Sequence, residues 1–162
     1  MFSRYALIWC ALLTPAAALP SLFPPQSAVT LSEIKKIYVD SLGDKKGANE
    51  LRDALIARLR KSREIQIVAS PNEADAVITG SAELWVKGYY STNPRPSKYN
   101  EMPIYGGVLS VELKGKGDET LWSYLVTPGK LQWNGITQDL TSQLAKKLLE
   151  ILRASGGKGS SK

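Results

Sequence analysis

Apolar positions recur along this chain at two periods, and the switches between those periods lay out its elements. Ile34 to Asp40 mixes apolar and lysine positions as a first strand, and the polar Ser41–Gly47 stretch then turns the chain. From Ala48 to Ser62 the apolar residues Ala48, Leu51, Leu55 and Leu59 recur at three- and four-residue steps, which predicts a helix with one buried stripe. Arg52, Arg60, Lys61 and Arg63 surround that stripe and are expected to form a solvated face. Glu64 to Ala69 returns to alternation, with Ile65, Ile67 and Ala69 on one side. Ser70–Glu73 makes a turn, and a long strand is predicted from Asp75 to Lys87. Its core face carries Ile78, Ala82, Leu84 and Val86, and Gly80 marks a bulge or a close backbone approach.

Gly88 to Pro103 breaks the pattern. Three prolines argue against a helix or a central strand, so the segment is read as a long loop. Strands resume over Ile104–Lys114 and Glu119–Thr127, and the Gly115–Asp118 turn between them predicts a hairpin. The last element is a helix over Thr137–Arg153, with Leu140, Leu144, Leu148, Ile151 and Leu152 on one arc. Asp139 near its positive end and Arg153 near its negative end both suit the helix dipole. A Ser/Gly/Lys tail covers residues 154–162 and is expected to be flexible.

This order of elements predicts one α/β domain of the α+β type over residues 34–153. The expected architecture is a two-layer sandwich. About five strands form a mixed, largely antiparallel sheet, with two main helices on one face.

The start of the chain has a different character. Arg4 precedes an apolar run from Tyr5 to Leu13, Pro15 follows, and Ala16-Ala17-Ala18 supplies small residues. That is the pattern of a cleavable export signal, and the run is shorter than the roughly 20 residues a bilayer-spanning helix needs. Cleavage near Ala18 predicts a periplasmic or secreted protein. Residues 19–33, with prolines at 20, 24 and 25, then form an extended lead-in. Cys10 follows Trp9 rather than a small residue, and the apolar run continues past it, so lipid anchoring there is not expected. Cleavage removes this single cysteine.

The 162 residues include 21 Lys+Arg and 15 Asp+Glu, a formal charge of +6, which loss of Arg4 lowers to +5. For an exported chain the counterpart is an envelope protein partner or an anionic membrane surface, and nucleic acid is not expected. The sequence does not set an oligomeric state.

Chemistry is sparse. No histidine occurs in the chain, which removes the commonest general base and zinc ligand. Gly106-Gly107 enters a strand and Gly115-Lys116-Gly117 sits in a turn, so neither makes a phosphate loop. Glu83, Glu112, Asp118 and Glu119 fall on solvent faces or turns. No catalytic residue, metal site or cofactor is predicted, and the chain is read as a non-enzyme. The candidate binding residues are Tyr89, Tyr90, Arg95, Lys98 and Tyr99 of the long loop, together with Trp85 on the more polar strand face. The tyrosines either recognise a partner or pack the loop onto the domain. Trp85 either joins Tyr38 in an open aromatic patch or is covered by the lead-in or the loop.

The helix Leu51-Arg-Asp-Ala-Leu-Ile-Ala-Arg-Leu59, the strand Ile65-Gln-Ile-Val68, the passage Ala74-Asp-Ala-Val-Ile-Thr-Gly80 and the strand Leu121-Trp-Ser123 resemble a bacterial envelope α/β domain. The order is similar to the periplasmic domain of curli secretion-channel lipoproteins and to the N-terminal domain of the Tol system's propeller protein. The resemblance spans residues 34–153 and implies a soluble envelope protein acting as an interaction or adaptor module in assembly or transport. The alternative is a binding protein for a small or polymeric envelope ligand through the 88–103 loop. No lipobox and no membrane-inserting hairpin accompany these motifs, so channel formation is not implied.

Overall fold

The leucine stripe folds as its spacing predicts: α1 spans Ala48–Lys61 and buries Ala48, Leu51, Leu55 and Leu59. In the computed structural model, which describes residues 30–91, 101–130 and 132–156, a second helix α2 covers Trp133–Gly156. The expectations for residues 1–18, most of the lead-in and residues 157–162 fall outside the described residues. Residues 154–156 of the expected flexible tail instead belong to α2, where the Ser155 hydroxyl donates to the Ile151 and Leu152 carbonyls. The strands are β1 (Lys36–Val39), β2 (Gln66–Ile67), β3 (Ala76–Ser91), β4 (Glu101–Gly115) and β5 (Thr120–Val126). They form one sheet in the order β2-β1-β3-β4-β5.

The sheet is mixed. β1 pairs in parallel with β2 and β3 over short ladders, whereas β3–β4 and β4–β5 are antiparallel. Both helices lie on one face. Leu51, Leu55 and Leu59 of α1 share a buried cluster with Leu140, Leu144 and Leu148 of α2 and with Ile37, Ile78, Leu84, Leu109 and Leu113 of the sheet. This is the two-layer α+β sandwich expected from the pattern.

Several boundaries differ. The β2 ladder ends at Ile67, where the alternation fails: Val68 is buried and Ala69 is exposed. The end of the lead-in is not extended, because Leu31–Glu33 makes a single 3-10 turn with a Thr30/Glu33 capping box. Leu31 packs against the core. α2 begins four residues before Thr137, so Asp139 does not sit in the first turn; its carboxylate instead accepts the Gly129 N–H at 2.7 Å. Gly80 is a close approach and not a bulge, and the register slips instead between Val86 and Gly88. Arg52 departs from its solvated reading. Its guanidinium donates to the carbonyls of Val39 (2.9 Å from Nη2) and Asp40 (3.0 Å from Nε), closing the end of β1.

The Ala74-Asp75-Ala76 motif has a structural task. Both alanines are buried, and the Asp75 carboxylate accepts the backbone N–H groups of Lys36 (2.9 Å) and Lys35 (3.1 Å). It thereby clasps the start of β3 to the start of β1. Burial pushes the Asp75 pKa up, but the Lys36 and Lys35 amides and the nearby Lys116 and Lys36 charges outweigh it and hold the carboxyl below its ordinary value. A lowered carboxyl pKa adds stability above the unfolded-chain value and loses it as pH falls through the folded value. Asp75→Asn is therefore expected to cost about 1–3 kcal/mol at neutral pH. The gap to wild type should close in acid, as read by urea unfolding across pH. A gap independent of pH contradicts the clasp.

Candidate functional site

The largest correction concerns the predicted loop. Gly88–Ser91 and Glu101–Pro103 are strand, so only residues 92–100 stand between β3 and β4. The ladder runs on through Tyr89↔Pro103, Tyr90↔Met102 and Ser91↔Glu101. Proline normally excludes a central strand because it lacks an N–H. Pro103 escapes this because β5 leaves β4 early, its ladder ending at Val126↔Leu109.

On the other side, β1 stops pairing with β3 at Val39↔Ile78. The connection to α1 extends the support briefly, with Ala82 and Leu84 donating to the carbonyls of Leu42 (2.9 Å) and Lys46 (2.8 Å). From Trp85 to Ser91 and from Glu101 to Gly106, then, two strands continue past the five-stranded sheet as an arm about 20 Å long. This arm is where apolar surface collects. Six large hydrophobic side chains stand exposed among the described residues, and five of them lie here: Trp85, Val86, Tyr89, Tyr90 and Met102. The sixth, Leu125, is on β5.

Trp85 is 42% exposed, Tyr89 62% and Tyr90 40%. The indole lies over Gly106, where an added Cβ would stand 2.7 Å from the Trp85 Nε1. Glycine at this pair lets the ring lie down along the ladder. Tyr90 reaches across its pair toward Met102, hydroxyl to sulfur 3.5 Å. At the far end of the arm a cavity of about 380 Å³ is bounded by Tyr90 and Pro103 on one side and by Lys130, Gln132 and Gly135 near the start of α2 on the other.

Of the candidate binding residues, Trp85, Tyr89 and Tyr90 lie on this arm, while Arg95, Lys98 and Tyr99 lie outside the described residues. The register slip sets Trp85 and Tyr90 on one face with Met102, and Tyr89 on the other with Val86. Tyr38 does not join Trp85. It pairs with Val77, eight residues earlier on β3, which places it about 25 Å away. Val86, which the alternation placed on the core face, is instead 39% exposed. With Met102 and Lys130 it is an addition that only the ladder and the segment before α2 bring to the site. Among the described residues no group of three His, Cys, Asp or Glu side chains stands ready for a metal, and no helix is long and apolar enough to cross a membrane.

The Leu121-Trp122-Ser123 motif is again structural. Trp122 stacks on Tyr124 with ring centroids 5.6 Å apart, and both pack against the core at the β5 edge.

No family model matches the chain, and no curated protein matches it, so the curli and Tol resemblance stays at the level of motifs. Solved structures with a similar chain path do exist. The PelC dodecamer from Paraburkholderia phytofirmans is 18% identical, covering 77% of this chain and 90% of that one at a TM-score of 0.44. A neuraminyllactose-binding hemagglutinin homolog from Helicobacter pylori is 8% identical, covering 84% and 96% at 0.44. The rare lipoprotein B from Shewanella oneidensis is 13% identical, covering 76% and 98% at 0.40. These likenesses assign no role to any residue of this chain.

Proposed function

We propose that this chain is a non-catalytic protein of the bacterial cell envelope, an interaction module that contacts a protein partner in assembly or transport through the β3–β4 arm. The observation that carries this reading is the concentration of exposed Trp85, Val86, Tyr89, Tyr90 and Met102 on two strands that leave the sheet. Rigid aromatics anchor interfaces at low entropic cost, and strand edges offer backbone groups for pairing. The Arg4, Tyr5–Leu13 and Ala16–Ala18 pattern supports export to the envelope. Crosslinking in the native envelope identifies the partner, and Trp85→Ala and Tyr90→Ala are each expected to lower its affinity about tenfold or more. Both side chains are exposed, so circular dichroism should stay native. Unchanged affinity in both folded variants rejects the arm, and unfolding of both would make these aromatics structural.

The cavity beneath Tyr90 and Pro103 favours a second reading, a small or polymeric envelope ligand held between the arm and α2. In that case Lys130→Ala weakens binding of an anionic envelope fragment while the protein crosslink is unaffected.

A further inference from the structure

The opposite layer of the molecule carries a separate feature. Between the solvent sides of α1 and α2 runs a groove of about 600 Å³, lined on α1 by Arg58 and Lys61 and on α2 by Lys146 and Arg153. Its floor is apolar, formed by the buried Ala145 and the half-buried Leu149. The single acid in the lining, Glu150, is held by Lys147 at 2.9 Å. Arg153 is likewise engaged, by Glu64.

Arg58, Lys61 and Lys146 are exposed and make no hydrogen bond or ion pair among the described residues. Arg58 and Lys61 stand three residues apart on one helix face, where like charges repel. The groove therefore joins a surplus of cations to an apolar floor, since Glu150 is the one acid beside Arg58, Lys61, Lys146 and Arg153 and the Lys146 charge already acts on it together with Lys147. Each cation has donors to give, and a bound anion offsets their repulsion. A soluble anion uses the rim alone, whereas an anionic headgroup whose glycerol and first acyl carbons lie against the floor satisfies both parts.

We propose that the α1–α2 groove docks the acidic headgroups of a phospholipid bilayer, with Arg58, Lys61 and Lys146 as the contacting cations. The occupant is argued from charge complementarity and from the apolar floor. The site is independent of the arm, which lies on the sheet layer, so either assignment can fail alone.

The test is sedimentation of the protein purified from its producing cells with vesicles of phosphatidylglycerol and phosphatidylcholine, or of phosphatidylcholine alone. Wild type is expected to bind only the anionic vesicles, and less as salt rises. The triple variant Arg58→Glu/Lys61→Glu/Lys146→Glu should lose about 100-fold or more in partitioning, at about fivefold per cation. A matched variant, Lys35→Glu/Lys45→Glu/Arg60→Glu, changes net charge equally at exposed sites outside both the groove lining and the arm and should lose far less. The groove variant is expected to melt somewhat lower than wild type, because Arg58 and Lys61 close the last turn of α1 and Lys146 stands four residues before Glu150. Binding is therefore compared at a temperature where circular dichroism shows wild type and both variants folded. Equal losses in the two would overturn the groove in favour of overall charge. Wild type indifferent to phosphatidylglycerol overturns the proposal outright, and release by millimolar inorganic phosphate reassigns the groove to a soluble anion.

Discussion

Leu144→Ala is expected to lower the free energy of unfolding by about 2–5 kcal/mol. Leu144 is 0% exposed and sits in the single buried cluster where α2 meets α1 and the sheet. The change removes the transfer energy of the deleted methyl and methylene groups. It also leaves a space that neighbours held by two helices and five strands fill only in part. Urea unfolding with an unchanged m-value reads the loss directly. A drop below about 0.5 kcal/mol, of the size seen at surface positions, would mean that α2 presents a different face.

Gly80→Ala follows as the second large effect, and its sign is set by backbone rather than by side chains. An added Cβ at Gly80 would lie 2.1 Å from the Ser110 carbonyl oxygen and 2.9 Å from the Val111 Cα. Neither atom is the end of a flexible side chain, so β4 itself has to move. Gly80 pairs with Val111 inside the longest ladder, flanked by Thr79↔Glu112 and Ser81↔Ser110. Replacing glycine at a site of ordinary geometry would stabilise by about 0.4–1 kcal/mol through the unfolded chain. Here overpacking reverses that, and a loss of about 1–3 kcal/mol is expected. Thermal unfolding should show a lower midpoint. A variant as stable as wild type would mean that the strands separate at this point without strain.

The helices were legible because their signal is local. The Ala48, Leu51, Leu55 and Leu59 stripe and the Leu140, Leu144, Leu148, Ile151 and Leu152 arc each specify a face within one segment. Both are buried as predicted except at Ile151 and Leu152, which are half-buried. Boundaries were less legible. Gly135, a poor helix former, hides the true start of α2. The arm was missed for a different reason. Gly88, Tyr89 and Tyr90 carry no alternation, and Pro103 reads as a strand breaker. Their strand state comes from partners 12 to 16 residues away and from the early end of β5. Of the binding candidates, Tyr89, Tyr90 and Trp85 were found by residue type. Val86 and Met102 become visible only when the ladder sets them beside those aromatics.

The sequence by itself determined the fold class, the two helix faces and the strands that carry the core. Each of these is written in a period of 2 or 3.6 along contiguous residues. It also determined the lack of histidine chemistry, since composition does not depend on folding. Only the tertiary structure decided which exposed side chains gather and which do not. Trp85 meets Tyr90 and Met102 on one arm and is parted from Tyr38, because register and strand length place them. Arg58 and Lys61 face Lys146 across a groove because α1 and α2 pack side by side. Such neighbourhoods join residues far apart in the chain, and no local period encodes them.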